Sequence, residues 1–222
     1  MIIKVCGMRD AENIRDVVEL GVDMIGMIFW KESPRYVSMV SSRAGIIPDY
    51  VESDAVATHG KVKTVGVFVD DMPQNIVTRV YNYKLDYVQL HGSESAIMID
   101  NLRRTLSDIS PKTKIIKALS IADKADIDNW KEYEGHVDMF LFDTKCKTVG
   151  GSGKQFDWSL LSAYDGDIPF ILSGGIGPDD AENVKSCNHP MCVGVDLNSR
   201  FEIEPAVKDV EKIKYFVAEI RK

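Results

Sequence analysis

The sequence predicts an α/β fold, a single-domain closed (βα)8 barrel over residues 1–222, and three observations lead there. Short apolar runs alternate with helix-periodic segments from one end of the chain to the other, and strict strand-then-helix alternation demands a parallel sheet with right-handed crossovers. There are eight such runs in 222 residues, which suits a closed barrel. The apolar runs also end on polar residues: Cys6, the Ser33-Pro34-Arg35 loop, Asp70, His91, Ser120, Asp143, Ser173-Gly174-Gly175 and Asp196-Leu197-Asn198-Ser199. Barrel enzymes keep their chemistry at that end of the strands. An open doubly wound sheet is the alternative, but its dinucleotide fingerprint is missing from the first turn, Cys6-Gly7-Met8-Arg9.

Ile2–Cys6 reads as the first strand. Asp10 is placed to cap a helix whose apolar positions Ala11, Ile14, Val17, Val18 and Gly21 fall three or four apart. Asp23–Phe29, rich in Ile and Met, is the second strand, followed by the proline-broken polar loop Lys31–Ser38. Val40–Lys63 is the least regular stretch, where a short helix and a polar insert around Glu52–Lys61 are expected. Thr64–Val69 is a strand, and Pro73–Tyr83 a helix with proline in its first turn. The strand Asp86–Leu90 then precedes a helix over Glu94–Leu106, and the strand Lys114–Leu119 a helix over Ala122–Tyr133. Asp138–Asp143 is followed by a short helix at Asp157–Ala163, and Pro169–Ser173 by a helix at Pro178–Lys185. Cys192–Asp196 is the last strand, and Pro205–Arg221 the closing helix, with Val207, Val210, Ile213, Phe216, Val217 and Ile220 at helical spacing.

Composition narrows the function. With 45% hydrophobic and 27% charged residues the chain can bury a core. A formal charge of −7 argues against nucleic acid or an anionic membrane as partner, and no apolar run reaches the ~20 residues of a membrane span. The N-terminus has no signal-peptide layout. Cys6, Cys146, Cys187 and Cys192 lack metal-ligand spacing, so reduced thiols in a cytoplasmic protein are expected and no metal site.

The most informative stretch is Phe140-Leu141-Phe142-Asp143-Thr144-Lys145, running on into Val149-Gly150-Gly151-Ser152-Gly153-Lys154. An apolar run without alternation fits a strand covered on both faces, and it ends on a carboxylate. The glycines behind it let backbone N–H groups approach an anion. Taken singly, Asp143 is a loop acid, Cys6 an inert buried thiol, Arg35 a surface cation and the glycines turns. Their placement on one barrel face is what points to a site.

Several motifs occur in a telling order: Lys4-Val5-Cys6-Gly7, Ser33-Pro34-Arg35-Tyr36-Val37, Val65-Gly66-Val67-Phe68-Val69, Val88-Gln89-Leu90-His91-Gly92, Leu141-Phe142-Asp143-Thr144, Gly150-Gly151-Ser152-Gly153-Lys154-Gln155-Phe156-Asp157-Trp158 and Leu172-Ser173-Gly174-Gly175-Ile176. Each is weak alone. As an ordered set covering nearly the whole chain, they resemble the phosphoribosylanthranilate isomerase family.

The resemblance implies a TIM barrel that carries out an Amadori rearrangement of a phosphorylated aminosugar without a cofactor, as a monomer or homodimer. By the same resemblance Asp143 is the general acid and Cys6 the general base. Asp143 must then be protonated when substrate binds, and Cys6 must have thiolate character, which asks for a pKa below the ordinary ~8.5. Lys4, two residues before Cys6, points the same way and either supplies that potential or pairs with a barrel carboxylate. The family's phosphate site maps to Gly174, Gly175, Asn198 and Ser199, with Gly151, Ser152 and Gly153 nearby and Lys154 within possible reach. Arg35 is expected to face the anthranilate carboxylate, Asp196 to hold a ribose hydroxyl, and His91 to make a ring hydrogen bond at the substrate site. The last loop departs from the family's usual glycine-containing form: Asn198-Ser199-Arg200-Phe201-Glu202 brings an arginine instead. Related barrels fit less well. An indole-3-glycerol phosphate synthase would show a catalytic lysine and glutamates at early strand ends, and a histidine-pathway isomerase an aspartate where this chain has Cys6. A ligand-sensing barrel would have no need of both Cys6 and Asp143.

Overall fold

The computed structural model describes residues 1–42, 45–48, 62–144 and 157–222. In chain order the elements are β1 (Ile2–Cys6), α1 (Ala11–Glu19), β2 (Met24–Ile28), β3 (Met39–Ser42), β4 (Gly45–Pro48), β5 (Lys63–Phe68), α2 (Pro73–Tyr83), β6 (Tyr87–Leu90), α3 (Ala96–Ile109), β7 (Lys114–Ile121), α4 (Lys124–Asp128), β8 (Met139–Thr144), β9 (Phe170–Leu172), α5 (Ala181–Lys185), β10 (Cys192–Leu197), β11 (Glu202–Glu204), β12 (Val207–Lys208) and α6 (Val210–Ile220). Eight of these strands close a parallel barrel in the order β1-β2-β5-β6-β7-β8-β9-β10. The last seam joins β10 to β1, with Ile2 beside Gly194 and Lys4 beside Asp196. The predicted (βα)8 architecture is borne out.

Strand parity divides the core in two. Met24, Val65, Ile116, Ala118, Met139, Leu141 and Ile171 fill the barrel interior. The alternate residues, among them Ile3, Val5, Val88, Leu90, Phe140, Phe142, Phe170 and Leu172, pack outward against the helices in one larger cluster. Both faces of each strand are therefore apolar, and this is why the strands read as continuous apolar runs. Local chemistry starts the helices. Asp10, Ser95 and Asp209 accept from Asn13, Met98 and Lys212 N–H at 2.9, 3.3 and 3.1 Å, and Pro73 opens α2.

The structure departs from the sequence reading in two places. The irregular stretch after residue 38 begins with an antiparallel hairpin, β3–β4, which periodicity does not reveal in strands this short. The short helix and polar insert expected around Glu52–Lys61 fall outside the described residues. The closing helix starts at Val210, not Pro205. Residues 202–208 instead form the β11–β12 hairpin, turned at Ala206 with φ 74°. Asn13 of α1 holds that hairpin in place: its Nδ2 donates to the Lys208 carbonyl at 2.9 Å and its Oδ1 accepts from the Lys208 N–H at 2.7 Å. Among the described residues no helix is long and apolar enough to cross a membrane.

Candidate active site

Inward parity that fills the barrel middle with apolar side chains delivers polar ones at the C-terminal ends of the same strands. On β1 the inward residues are Lys4 and Cys6, which are 0% and 3% exposed. Lys4 Nζ donates to Asp196 Oδ1 at 2.8 Å across the seam, and Ser173 Oγ lies 3.4 Å from the other oxygen. The neighbouring position on β2 is glycine for want of room: a Cβ on Gly26 would sit 2.9 Å from Cys6 Sγ and 3.3 Å from Lys4 Nζ. Sulfur and ammonium therefore share one small space, and Lys4 fills both roles considered for it.

The charge balance there corrects one expectation. Burial pushes the Cys6 thiol above its ordinary pKa, Lys4 pulls it down and Asp196 pushes it up again. The expected lowering is absent because desolvation of the thiolate outweighs a cation already shared with a carboxylate. For Lys4, burial disfavours the ammonium, yet Asp196 and Cys6 together hold its pKa above the ordinary value.

Asp143 ends β8 inward, beside Ser120 of β7. Its Oδ1 accepts from the Thr144 N–H at 2.8 Å, and its Oδ2 lies 3.3 Å from His91 Nε2. His91 Nδ1 is 3.0 Å from Nε2 of Gln89, two residues back on β6. The ring hydrogen bond expected of His91 is present, and the ring also reaches Asp143. Behind the His91 loop a buried ion pair joins Lys117 and Glu94 at 3.1 Å. Glu94 also takes the N–H groups of Asp70 and Gly92 at 3.0 Å.

Arg35 is where tertiary structure changes the picture most. Its fork grips Glu202 in a bidentate pair, Nε to Oε1 at 2.8 Å and Nη2 to Oε2 at 2.6 Å. Lys208, 1% exposed, reaches the same carboxylate at 2.7 Å and Asn198 Oδ1 at 2.8 Å. Burial works against the Glu202 carboxylate, but Arg35 and Lys208 hold its pKa below the ordinary range. Burial lowers Lys208, which Glu202 only partly offsets. Two cations and one carboxylate leave this cluster with a net positive charge. Lys208 is missed by sequence reading because it falls within the stretch expected as a helix, where a lysine beside Asp209 looks like part of a solvated face.

At the ends of β9 and β10 lie the expected anion-binding residues. Gly174 and Gly175 have φ 90° and 67°, and a Cβ on Gly174 would land on Thr144, so only glycine fits. Asn198 precedes a 3-10 turn at Ser199–Phe201. Arg200, about half exposed, points toward Asp180 at 3.9 Å. Gly151, Ser152, Gly153 and Lys154 lie outside the described residues. Cys6, Lys4, His91, Asp143, Ser173, Gly174, Gly175, Asp196, Asn198 and Ser199 thus gather at one end of one barrel, with Arg35 joined to them through Glu202 and Lys208. Surface clefts of about 300 and 410 Å³ open elsewhere, lined by residues such as Lys84 and Thr113 or Trp158 and His189, and contain none of these groups.

Known proteins share this sequence and fold over nearly the whole chain. The family model described as N-(5'phosphoribosyl)anthranilate (PRA) isomerase matches residues 3–219. The N-(5'-phosphoribosyl)anthranilate isomerase of Parabacteroides distasonis is 46% identical over 220 residues, covering 99% of this chain and 93% of the relative. The crystal structure of phosphoribosyl anthranilate isomerase from Thermus thermophilus superposes with a TM-score of 0.78 at 25% identity, covering 100% and 98% of the two chains. A phosphoribosyl anthranilate isomerase crystallised with reduced 1-(o-carboxyphenylamino)-1-deoxyribulose 5-phosphate superposes with a TM-score of 0.73 at 28% identity, covering 100% and 99%. Matched from its first strand to its last helix, this chain belongs to the N-(5'-phosphoribosyl)anthranilate isomerase family.

Proposed function

We propose that the chain converts N-(5-phosphoribosyl)anthranilate to 1-(2-carboxyphenylamino)-1-deoxyribulose 5-phosphate, with Asp143 as general acid and Cys6 as general base. The coarser assignment, an isomerase of tryptophan biosynthesis that interconverts an aldose and a ketose, follows from its family. The observation that carries the residue roles is that Asp143 and Cys6 end two strands of one barrel facing inward, separated in the ring by β9 and β10. A sugar between them meets an acid on one side and a base on the other.

In this reading Asp143 gives its proton to the furanose oxygen. The C1′–O bond breaks, and the nitrogen lone pair forms the C1′=N iminium. Cys6, as thiolate, removes the C2′ proton, and those electrons close C1′=C2′ while the nitrogen becomes neutral. The enolamine then loses its C2′ hydroxyl proton and gains one at C1′ to give the ketone. Lys4 compensates the charge of the thiolate in a space where burial disfavours it. The net positive Arg35–Glu202–Lys208 cluster supplies the field for the anthranilate carboxylate, and Asp196 takes a ribose hydroxyl. The phosphate goes to the N–H groups around Gly174, Gly175, Asn198 and Ser199. A structural relative binds a reduced product of this same kind, which supports the reading of the ligand. No cofactor enters any step.

The test is the loss of phosphoribosylanthranilate fluorescence followed in Cys6→Ala and Asp143→Asn. Each substitution is expected to lower kcat by about 10²–10⁴-fold, the range for a lost general acid or base, while circular dichroism keeps the barrel signature. Near-normal turnover in either variant removes that residue from its role.

A further inference from the structure

Gln89 has a feature that the chemistry above does not use. It is 1% exposed, inside the barrel. Its Nε2 is 3.0 Å from His91 Nδ1, and its Oε1 is buried with no hydrogen-bond partner among the described residues. A buried amide oxygen left unpaired is costly, and native structures rarely keep one without a reason. We propose that Gln89 is a positioning residue for the acid: by turning over, its amide decides which nitrogen of His91 carries the proton, and hence whether Asp143 Oδ2 meets an N–H or a lone pair. The proposal rests on the reading of Asp143 as proton donor.

The chemistry follows from what each group can donate. An amide NH2 only donates, so the observed contact makes Nδ1 an acceptor and puts the proton of a neutral imidazole on Nε2. Nε2–H then faces Asp143 Oδ2 at 3.3 Å. That arrangement suits a carboxylate, the form Asp143 has after giving up its proton. It is wrong for the carboxylic acid, whose O–H would meet an N–H. Turning the amide by 180° places Oε1 on Nδ1–H and puts the NH2 in the oxygen's former place, so either orientation pairs one end of the amide. Nε2 then offers its lone pair to the acid.

Loaded, the His91–Asp143 pair holds two protons, one on Nδ1 and one between Nε2 and Oδ2. Transfer of the second to the sugar oxygen leaves one proton, on Nδ1; as the amide turns back, that proton is released to water and another is taken from water at Nε2, against the carboxylate. One proton from water reloads the pair. Charged groups on the neighbouring elements are already engaged. Asp70, after β5, takes the Ser93 N–H at 2.6 Å. Glu94, in the His91 loop, is paired with Lys117 of β7, and Lys4 of β1 is paired with Asp196 of β10. Ser120, beside Asp143 on β7, carries no charge.

The experiment is ¹⁵N NMR of the imidazole in the free protein, together with the pH profile of kcat. In the unsubstituted chain His91 is expected as the Nδ1–H tautomer on the acid side of the basic limb of kcat and as the Nε2–H tautomer beyond it. Gln89→Glu, whose carboxylate only accepts, is expected to place a proton on Nδ1 and to move the basic limb of kcat to higher pH, because the loaded pair is held more tightly. Gln89→Met, neutral and of similar length, is expected to show mixed tautomers and a kcat lower by roughly tenfold or more, with KM within about threefold. The His91 resonances report in the same spectra whether each variant is folded. A His91 tautomer that stays the same across the basic limb in the unsubstituted chain would overturn the proposal. So would a Gln89→Met variant with unchanged kcat and pH profile. Full turnover in Asp143→Asn, by contrast, would overturn the reading on which the proposal rests.

Discussion

Cys6 and Lys4 show how one residue's role depends on its neighbour. Alternation along β1 sends both inward, so their proximity is already legible two residues apart. The direction of the thiol's shift is not legible, because it depends on how much water the barrel excludes and on whether Lys4 is shared. Asp196 arrives from the far end of the chain, and sequence separation hides it. Lys4→Met tests this balance. Without the ammonium, Cys6 keeps the burial and Asp196 contributions that push it up and loses that of Lys4, the larger of the two cations that pull it down, leaving only Lys208. Alkylation of Cys6 in the free protein should therefore move to higher pH, and kcat should fall by roughly tenfold or more. The unpaired Asp196 should also cost about 3–5 kcal/mol of stability, as removal of one partner of a buried pair does. An alkylation profile identical to that of the unsubstituted chain would show that Lys4 serves only Asp196.

At the scale of elements, the β11–β12 hairpin is the instructive case. Val207, Val210, Ile213, Phe216, Val217 and Ile220 repeat at helical spacing, and the helix they mark is present from Val210 onward. Extending it back to Pro205 fails for a tertiary reason. Asn13 takes both backbone groups of Lys208, which extends the chain there and turns the Lys208 side chain toward Glu202. Asn13→Ala leaves two buried backbone groups unpaired. With about 1–3 kcal/mol for each, a loss of roughly 2–6 kcal/mol is expected in urea unfolding. KM for the substrate should rise more than kcat falls, because the hairpin positions Glu202 and so Arg35. A variant with unchanged KM would separate the hairpin from the substrate carboxylate. The β3–β4 hairpin went unread for a different reason: four-residue strands outside the barrel carry too few positions for a period to appear.

The whole molecule is closed where its two ends meet. Lys4–Asp196, Arg35–Glu202, Asn13–Lys208 and Arg221–Asp23 each join the first part of the chain to the last. Several of these ties converge on the site, so closing the barrel and assembling the chemistry are one event. Glu202 makes that closure sensitive to acid. Its folded pKa lies below the ordinary glutamate value, so the unfolded chain takes up a proton first as pH falls. The stability it contributes is therefore present above that value and is lost as pH falls through the folded pKa. Glu202→Gln should unfold more easily at neutral pH, with Arg35 and Lys208 uncompensated, and the gap from the unsubstituted chain should narrow on acidification. Chemical unfolding at neutral pH and at successively lower pH checks this; a gap independent of pH would place the Glu202 contribution outside its charge.

What the sequence determined by itself was the repeating architecture and the strand-end residues, because both are local. A strand covered on two faces writes itself as an apolar run, a helix as a 3.6-residue period, and a strand's last inward side chain follows from parity. The order of the motifs carried the family. Only the tertiary structure decided which charges meet: Asp196 with Lys4, Glu202 with Arg35 and Lys208, and Gln89 through His91 with Asp143. Those pairings depend on barrel closure, which brings residues as much as 200 positions apart within hydrogen-bond distance. Burial then sets the strength of each interaction and the direction in which each proton is held, and no local pattern records that.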